Sequence, residues 1–128
     1  MVATRNDQPD NDKVGSENRW TGKTWESASG NYVLIRHNDG EFSEISHLRQ
    51  NSVTVRPGDV VRTGQIIAKV GNSGSSLMPH IHYQLVNAAG QKGVSGIPAY
   101  FRAVRYPSGQ HVPPHGIVLD TGDIVLAE

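Results

Sequence analysis

Three histidines have the type and spacing to do chemistry. His80 and His82 flank Ile81 in Pro79-His80-Ile81-His82-Tyr83, and His47 stands in Glu44-Ile45-Ser46-His47-Leu48. Imidazole is both a metal ligand and an acid–base group that works near neutral pH. In a strand, residues i and i+2 face the same way, so His80 and His82 should project together with Cα atoms roughly 6–7 Å apart. One could then bind a metal while the other reaches a water on it. The same alternation places His47 on a strand face with Ser43 and Ile45. Taken alone, the bare pattern more often means two half-exposed strand histidines and a structural His47. His37 closes a strand before a turn and needs no chemistry. His111 and His115 sit in the proline-rich loop Gln110-His111-Val112-Pro113-Pro114-His115-Gly116, where a metal contact is a weaker reading. Cysteine is absent, so thiolate sites and disulfides are excluded.

The elements that must hold these residues are short strands. Tyr32-Val33-Leu34-Ile35-Arg36-His37 is β-branched and apolar, and ends at Asn38-Asp39-Gly40, a hairpin signal. Phe42 to Leu48 is the return strand. Val53-Thr54-Val55, Val60-Val61 and Ile66-Ile67-Ala68-Lys69-Val70 predict further strands, with turns at Pro57-Gly58-Asp59 and Thr63-Gly64, where Gly58 and Gly64 supply positive φ. A small-residue loop, Gly71-Asn72-Ser73-Gly74-Ser75-Ser76, leads into the strand His80–Val86. Weaker strands follow at Tyr100–Arg105, Ile117–Leu119 and Ile124-Val125-Leu126. Residues 6–30 read as a long polar loop anchored by Trp20 and Trp25. No run of ten or more residues has helical periodicity. The expected class is all-β, mainly antiparallel, with few or no helices.

Composition narrows the partners. The chain has 128 residues and a formal net charge of zero, which suits one modest domain and gives no basic excess for nucleic acid or anionic membranes. No apolar stretch approaches the ~20 residues of a membrane span. Met1-Val2-Ala3-Thr4-Arg5-Asn6-Asp7 has no apolar signal-peptide core. The paired glycine turns also occur in biotinyl and lipoyl carrier domains, but those present a lysine at a hairpin tip, whereas Lys69 lies inside an expected strand.

Taken in order, Gly30-Asn31-Tyr32-Val33-Leu34-Ile35-Arg36-His37, Ser46-His47-Leu48, the Gly58/Gly64 strand pair, Gly71-Asn72-Ser73-Gly74-Ser75 and Pro79-His80-Ile81-His82-Tyr83 resemble the M23 (lysostaphin-like) zinc metallopeptidase family. The resemblance covers about residues 2–105 and is densest over 30–86. It implies an antiparallel sheet with a groove above it, and hydrolysis of peptide bonds in bacterial peptidoglycan by a zinc-bound water. It implies His82 as a zinc ligand, with His80 and His47 as the two catalytic histidines: His80 as general base, His47 stabilising the charged oxygen or assisting proton transfer. Peptidoglycan peptides are the implied partners, and the cell envelope or the exterior is the implied location.

The family's other two zinc ligands come from an upstream His-x-x-x-Asp motif, which does not occur ahead of His47. His115 and Asp120 are one residue too far apart, and on a strand would face opposite ways. The expectation is therefore one M23-like domain over 1–128, with its core at 30–105 and a tail at 106–128, incomplete at its N-terminus. Such a chain should bind zinc poorly and be inactive or weakly active alone. Loss of the leading strands should also leave a sheet edge open to self-association. The alternative is a non-catalytic module that binds peptidoglycan or regulates a wall hydrolase.

Overall fold

The computed structural model describes residues 2–11, 24–37, 40–87, 95–102, 104–119 and 126–127. Trp20, the Asn38-Asp39 turn positions, Asp120, Ile124 and Val125 lie outside the described residues. The chain divides into two compact units, residues 1–96 and 97–128.

The first unit is built on an antiparallel sheet, and among the described residues the chain is all-β apart from one short helix. Its strands are β1 (Val2–Arg5), β2 (Asn31–Arg36), β3 (Phe42–Leu48) and β4 (His82–Val86); a two-residue strand β5 (Gly96–Ile97), which straddles the division at residue 96, ends the order β1-β2-β3-β4-β5. The hairpin expected after His37 is present: His37 N–H donates to the Glu41 carbonyl at 2.8 Å, and β2 pairs antiparallel with β3. β1 corrects the sequence reading, which placed no strand before Asn31. Its four residues carry too little pattern to register, and pairing with β2 defines them.

The polar segment before β2 also contains a helix, α1 (Trp25–Ser29). Thr24 caps it by accepting the Ser27 N–H, and Gly30 ends it at φ 69° and ψ −133°, a backbone region open essentially to glycine. Five residues are too few to show helical periodicity. α1 is held by tertiary contacts: Trp25 lies 5.1 Å from Tyr32 between ring centroids.

The core lies on one face of the sheet. Val33, Leu48 and Val55 are buried, with Ile35, Ile45, Val53, Val61, Ile67 and Ala68 packed around them. The segment from Val53 to Lys69 covers this face, but not as the strands its sequence suggested. It runs extended, with turns closed by Asp59 N–H to the Arg56 carbonyl and Gln65 N–H to the Arg62 carbonyl, each at 3.0 Å. Gly58 and Gly64 take the expected positive φ. Alternation here does not reflect a buried face, since Val60 and Ile66 are largely exposed.

In the second unit, β6 (Val104–Arg105) pairs with β7 (Leu126–Ala127), and Phe101 bridges Ile117. The longer strand expected over Tyr100–Arg105 is thus reduced to its last two residues and one bridge.

Candidate functional site

β3 delivers His47 through a β-bulge. Asn31 pairs with Leu48 and Val33 with Ile45, so two steps along β2 span three along β3. The extra residue lies next to His47, whose φ of 60° is left-handed. A bulge re-aims the side chains beyond it. Simple alternation put His47 with Ser43 and Ile45, and the structure corrects this. Ile45 packs on the core and Ser43 bonds His37 and Tyr83, whereas Glu44, Ser46 and His47 line a cavity on the other side.

The bulge brings the three predicted histidines together. The His47 ring centroid is 4.7 Å from that of His80 and 5.8 Å from that of His82. His80 and His82 share a side, as their i, i+2 spacing required, although β4 begins only at His82. His80 makes a single bridge to Gly71.

Hydrogen bonds fix the ring nitrogens. His47 Nδ1 is 2.9 Å from the Ser73 carbonyl oxygen, and His80 Nδ1 is 2.7 Å from that of Met78. A carbonyl oxygen only accepts, so both Nδ1 atoms carry a proton, and each ring in its neutral form presents a lone pair at Nε2. His47 is buried, and burial pushes its pKa below the usual value. The bond to Ser73 partly offsets this, while His80 and His82 add to the lowering. The neutral His47 ring therefore offers an acceptor at Nε2.

The loop that accepts from His47 is itself locked. Ser73 Oγ donates to the Leu48 carbonyl at 2.7 Å and accepts the Asn31 N–H at 2.9 Å. Asp10 accepts the Asn72 N–H at 2.6 Å and the Gln50 N–H at 2.9 Å. The polar run Asn6–Asn11, read as part of a loose loop, is thus a strap tied to the glycine-rich loop.

The cavity beside the histidines has a volume of about 490 Å³ and is lined by Trp25, Ala28, Leu77, Glu44, His47 and His82, among others. Trp25, Ala28 and Leu77 form apolar walls. Sequence reasoning passed over Glu44 and Gln84, and named Trp25 only as an anchor of the polar loop. Glu44 is 2% exposed and accepts from Ser29 Oγ, Ser46 Oγ, Trp25 Nε1 and Gln84 Nε2. Its position three residues before His47, on a strand otherwise apolar or small, was the available signal.

Two of the other histidines have partners elsewhere. His37 Nε2 contacts Ser43 Oγ at 2.7 Å on the opposite face. His115 packs on Tyr100 within the second unit.

The site is thus an apolar-walled groove on a β-sheet, edged by clustered imidazoles. The chain belongs to peptidase family M23, whose family model matches residues 17–94. It is 34% identical to the peptidoglycan DD-endopeptidase ShyC of Vibrio cholerae over 82 residues, covering 64% of this chain and 17% of that protein. To ShyA of the same organism it is 33% identical over 85 residues, covering 66% and 18%. To lysostaphin of Staphylococcus simulans it is 41% identical over 61 residues, covering 46% and 12%. The matched stretch is thus under a fifth of each relative. No solved structure matches the chain.

Family membership raises the question of a metal. Among the described residues, no three His, Asp or Glu side chains are grouped to hold one. The described residues do not by themselves fit a complete zinc site.

Proposed function

We propose that this chain is part of a zinc metalloendopeptidase site acting on peptide bonds of bacterial peptidoglycan, outside the cytoplasmic membrane. The convergence of the His47, His80 and His82 rings beside an apolar-walled groove carries this reading. Relatives named as peptidoglycan DD-endopeptidases supply the substrate class. Among the described residues, no helix is long and apolar enough to cross a membrane.

In this reading His82 is the metal donor, and His47 and His80 handle protons through Nε2. The neutral state of His47 suits proton transfer better than stabilising negative charge, which calls for a donor. Zinc, when bound, would polarise the scissile carbonyl and acidify a water. The 128 residues supply one such donor and lack the His-x-x-x-Asp pair, so alone they bind zinc weakly and hydrolyse little.

The test begins with metal-free chain exposed to zinc, desalted and analysed for metal, then incubated with peptidoglycan while released fragments are followed by mass spectrometry. The expected result is substoichiometric zinc and little or no release. Fusing a preceding His-x-x-x-Asp segment from a relative should raise both, and His82→Ala should abolish the gain. Stoichiometric zinc and clear turnover by the unfused chain would overturn the inactivity.

The absence of a three-donor group among the described residues favours a second reading, a non-catalytic peptidoglycan-binding or hydrolase-regulating module. It predicts that the unfused chain cosediments with peptidoglycan and that the fused chain stays inactive. Self-association through a sheet edge, β1 or β5, is a third arrangement that could complete the site. A purely monomeric sedimentation profile would remove it.

A further inference from the structure

Beside the three histidines, the β3–β4 register stacks polar residues in a way that the proposed chemistry does not use. Glu44 pairs with Gln84, and Ser46 with His82. His82 and Gln84 are two apart on β4, so they share a face. Gln84 Nε2 donates to Glu44 Oε2 at 2.6 Å, and Gln84 Oε1 lies 3.2 Å from His82 Nε2.

The direction of this chain follows from what each group can do. The Glu44 carboxylate accepts only, and the Trp25 indole N–H donates only. Trp25 and Gln84 share Oε2, while Ser29 and Ser46 share Oε1. The amide nitrogen of Gln84 must therefore face Glu44, which turns its oxygen toward His82. An amide oxygen requires a donor, so His82 carries its proton on Nε2 and keeps its lone pair on Nδ1. With four donors, the Glu44 carboxylate is saturated and leaves no free site for a ligand.

We propose that Glu44 is a positioning residue acting through Gln84, selecting the tautomer and orientation of His82 and leaving its lone pair on Nδ1. This rests on the reading of His82 as a residue of the proposed site. A partner on the second nitrogen of an imidazole is the general means of fixing which nitrogen is offered. A buried carboxylate is costly to keep, and orienting Gln84 gives it a role that packing alone does not.

The test is made on the folded, metal-free 128-residue chain at a pH where the imidazoles are neutral. Long-range ¹⁵N–¹H correlation spectra report the protonation of each ring nitrogen. His82 is expected in one tautomer, with Nε2 fully protonated-like and Nδ1 fully unprotonated-like. Gln84→Met removes both ends of the relay and should average the two nitrogen shifts of His82 toward those of a free imidazole, with His47 and His80 unchanged. Glu44→Gln keeps an oxygen that can accept from Gln84, and should retain the single tautomer. Glu44→Met should average the shifts as Gln84→Met does. If Glu44→Met does not fold, Gln84→Met and Glu44→Gln decide between them. Averaged shifts in the parent chain, or parent-like shifts in Gln84→Met, would overturn the relay. These readouts need neither zinc nor turnover: failure to bind zinc counts against the proposed function and leaves the relay standing.

Discussion

At the scale of single residues, His47 combines a strained backbone with a buried ring. A left-handed conformation costs an L-residue with a Cβ roughly 1–2 kcal/mol. The bulge imposes that conformation so that the ring meets His80 and His82. His47→Gly should therefore unfold at higher urea than His47→Ala, by about 1 kcal/mol in stability. Equal stabilities would show that the bulge relaxes in the variants. The ring should also leave a pH signature. Unfolded chains take up the histidine proton near pH 6.5, and the folded ring does so at lower pH because burial disfavours its charge. In that interval the unfolded state binds more protons, so acid favours unfolding. The contribution is whole above about pH 6.5 and is lost as pH falls through the folded value. The urea midpoint of metal-free protein should fall between pH 7.5 and 5, and His47→Gln should flatten that fall.

At the scale of elements, the site depends on a close approach between the end of α1 and the glycine-rich loop. A Cβ on Gly30 would sit 2.6 Å from the Ser73 carbonyl carbon and 2.7 Å from the Gly74 nitrogen, and its φ is positive. Backbone cannot move aside as a flexible side chain can. Gly30→Ala should cost about 2–4 kcal/mol, read from chemical denaturation, because strain and overpacking add. Ser73 is the other half of the joint, since it ties Asn31 and Leu48 while its carbonyl holds His47. Ser73→Ala should lose about 1–3 kcal/mol by leaving the buried Asn31 N–H without its partner. Without effect on stability, that substitution would show that water replaces the hydroxyl.

Across the whole molecule, charge balance governs behaviour in solution. The formal net charge is zero and the pI is about 7.0. Val60 and Ile66 are 86% and 78% exposed. A chain near its isoelectric point lacks self-repulsion, and exposed apolar side chains then favour association. Solubility, measured as the precipitant concentration needed for half-precipitation, should pass through a minimum near pH 7 and rise by pH 9. Val60→Lys combined with Ile66→Lys should raise it at pH 7 with little change in stability, since neither side chain is buried.

The sequence by itself determined the strand-rich class, the β2–β3 hairpin, the positive-φ glycines and the common side of His80 and His82, because these depend on local sterics and a two-residue period. The ordered motifs pointed to the family, and the family match agrees. Only the tertiary structure decided the bulge that turns His47 toward its partners, since a one-residue slip between strands leaves no local trace. It also decided α1 and β1, which are too short to show a period and exist through what they pack or pair against. Glu44 emerged the same way: a lone acidic residue in an apolar strand looks solvent-facing until the register sets Gln84, Ser29 and Trp25 around it. Partner choice at long range, which local preferences do not encode, separates the two sets.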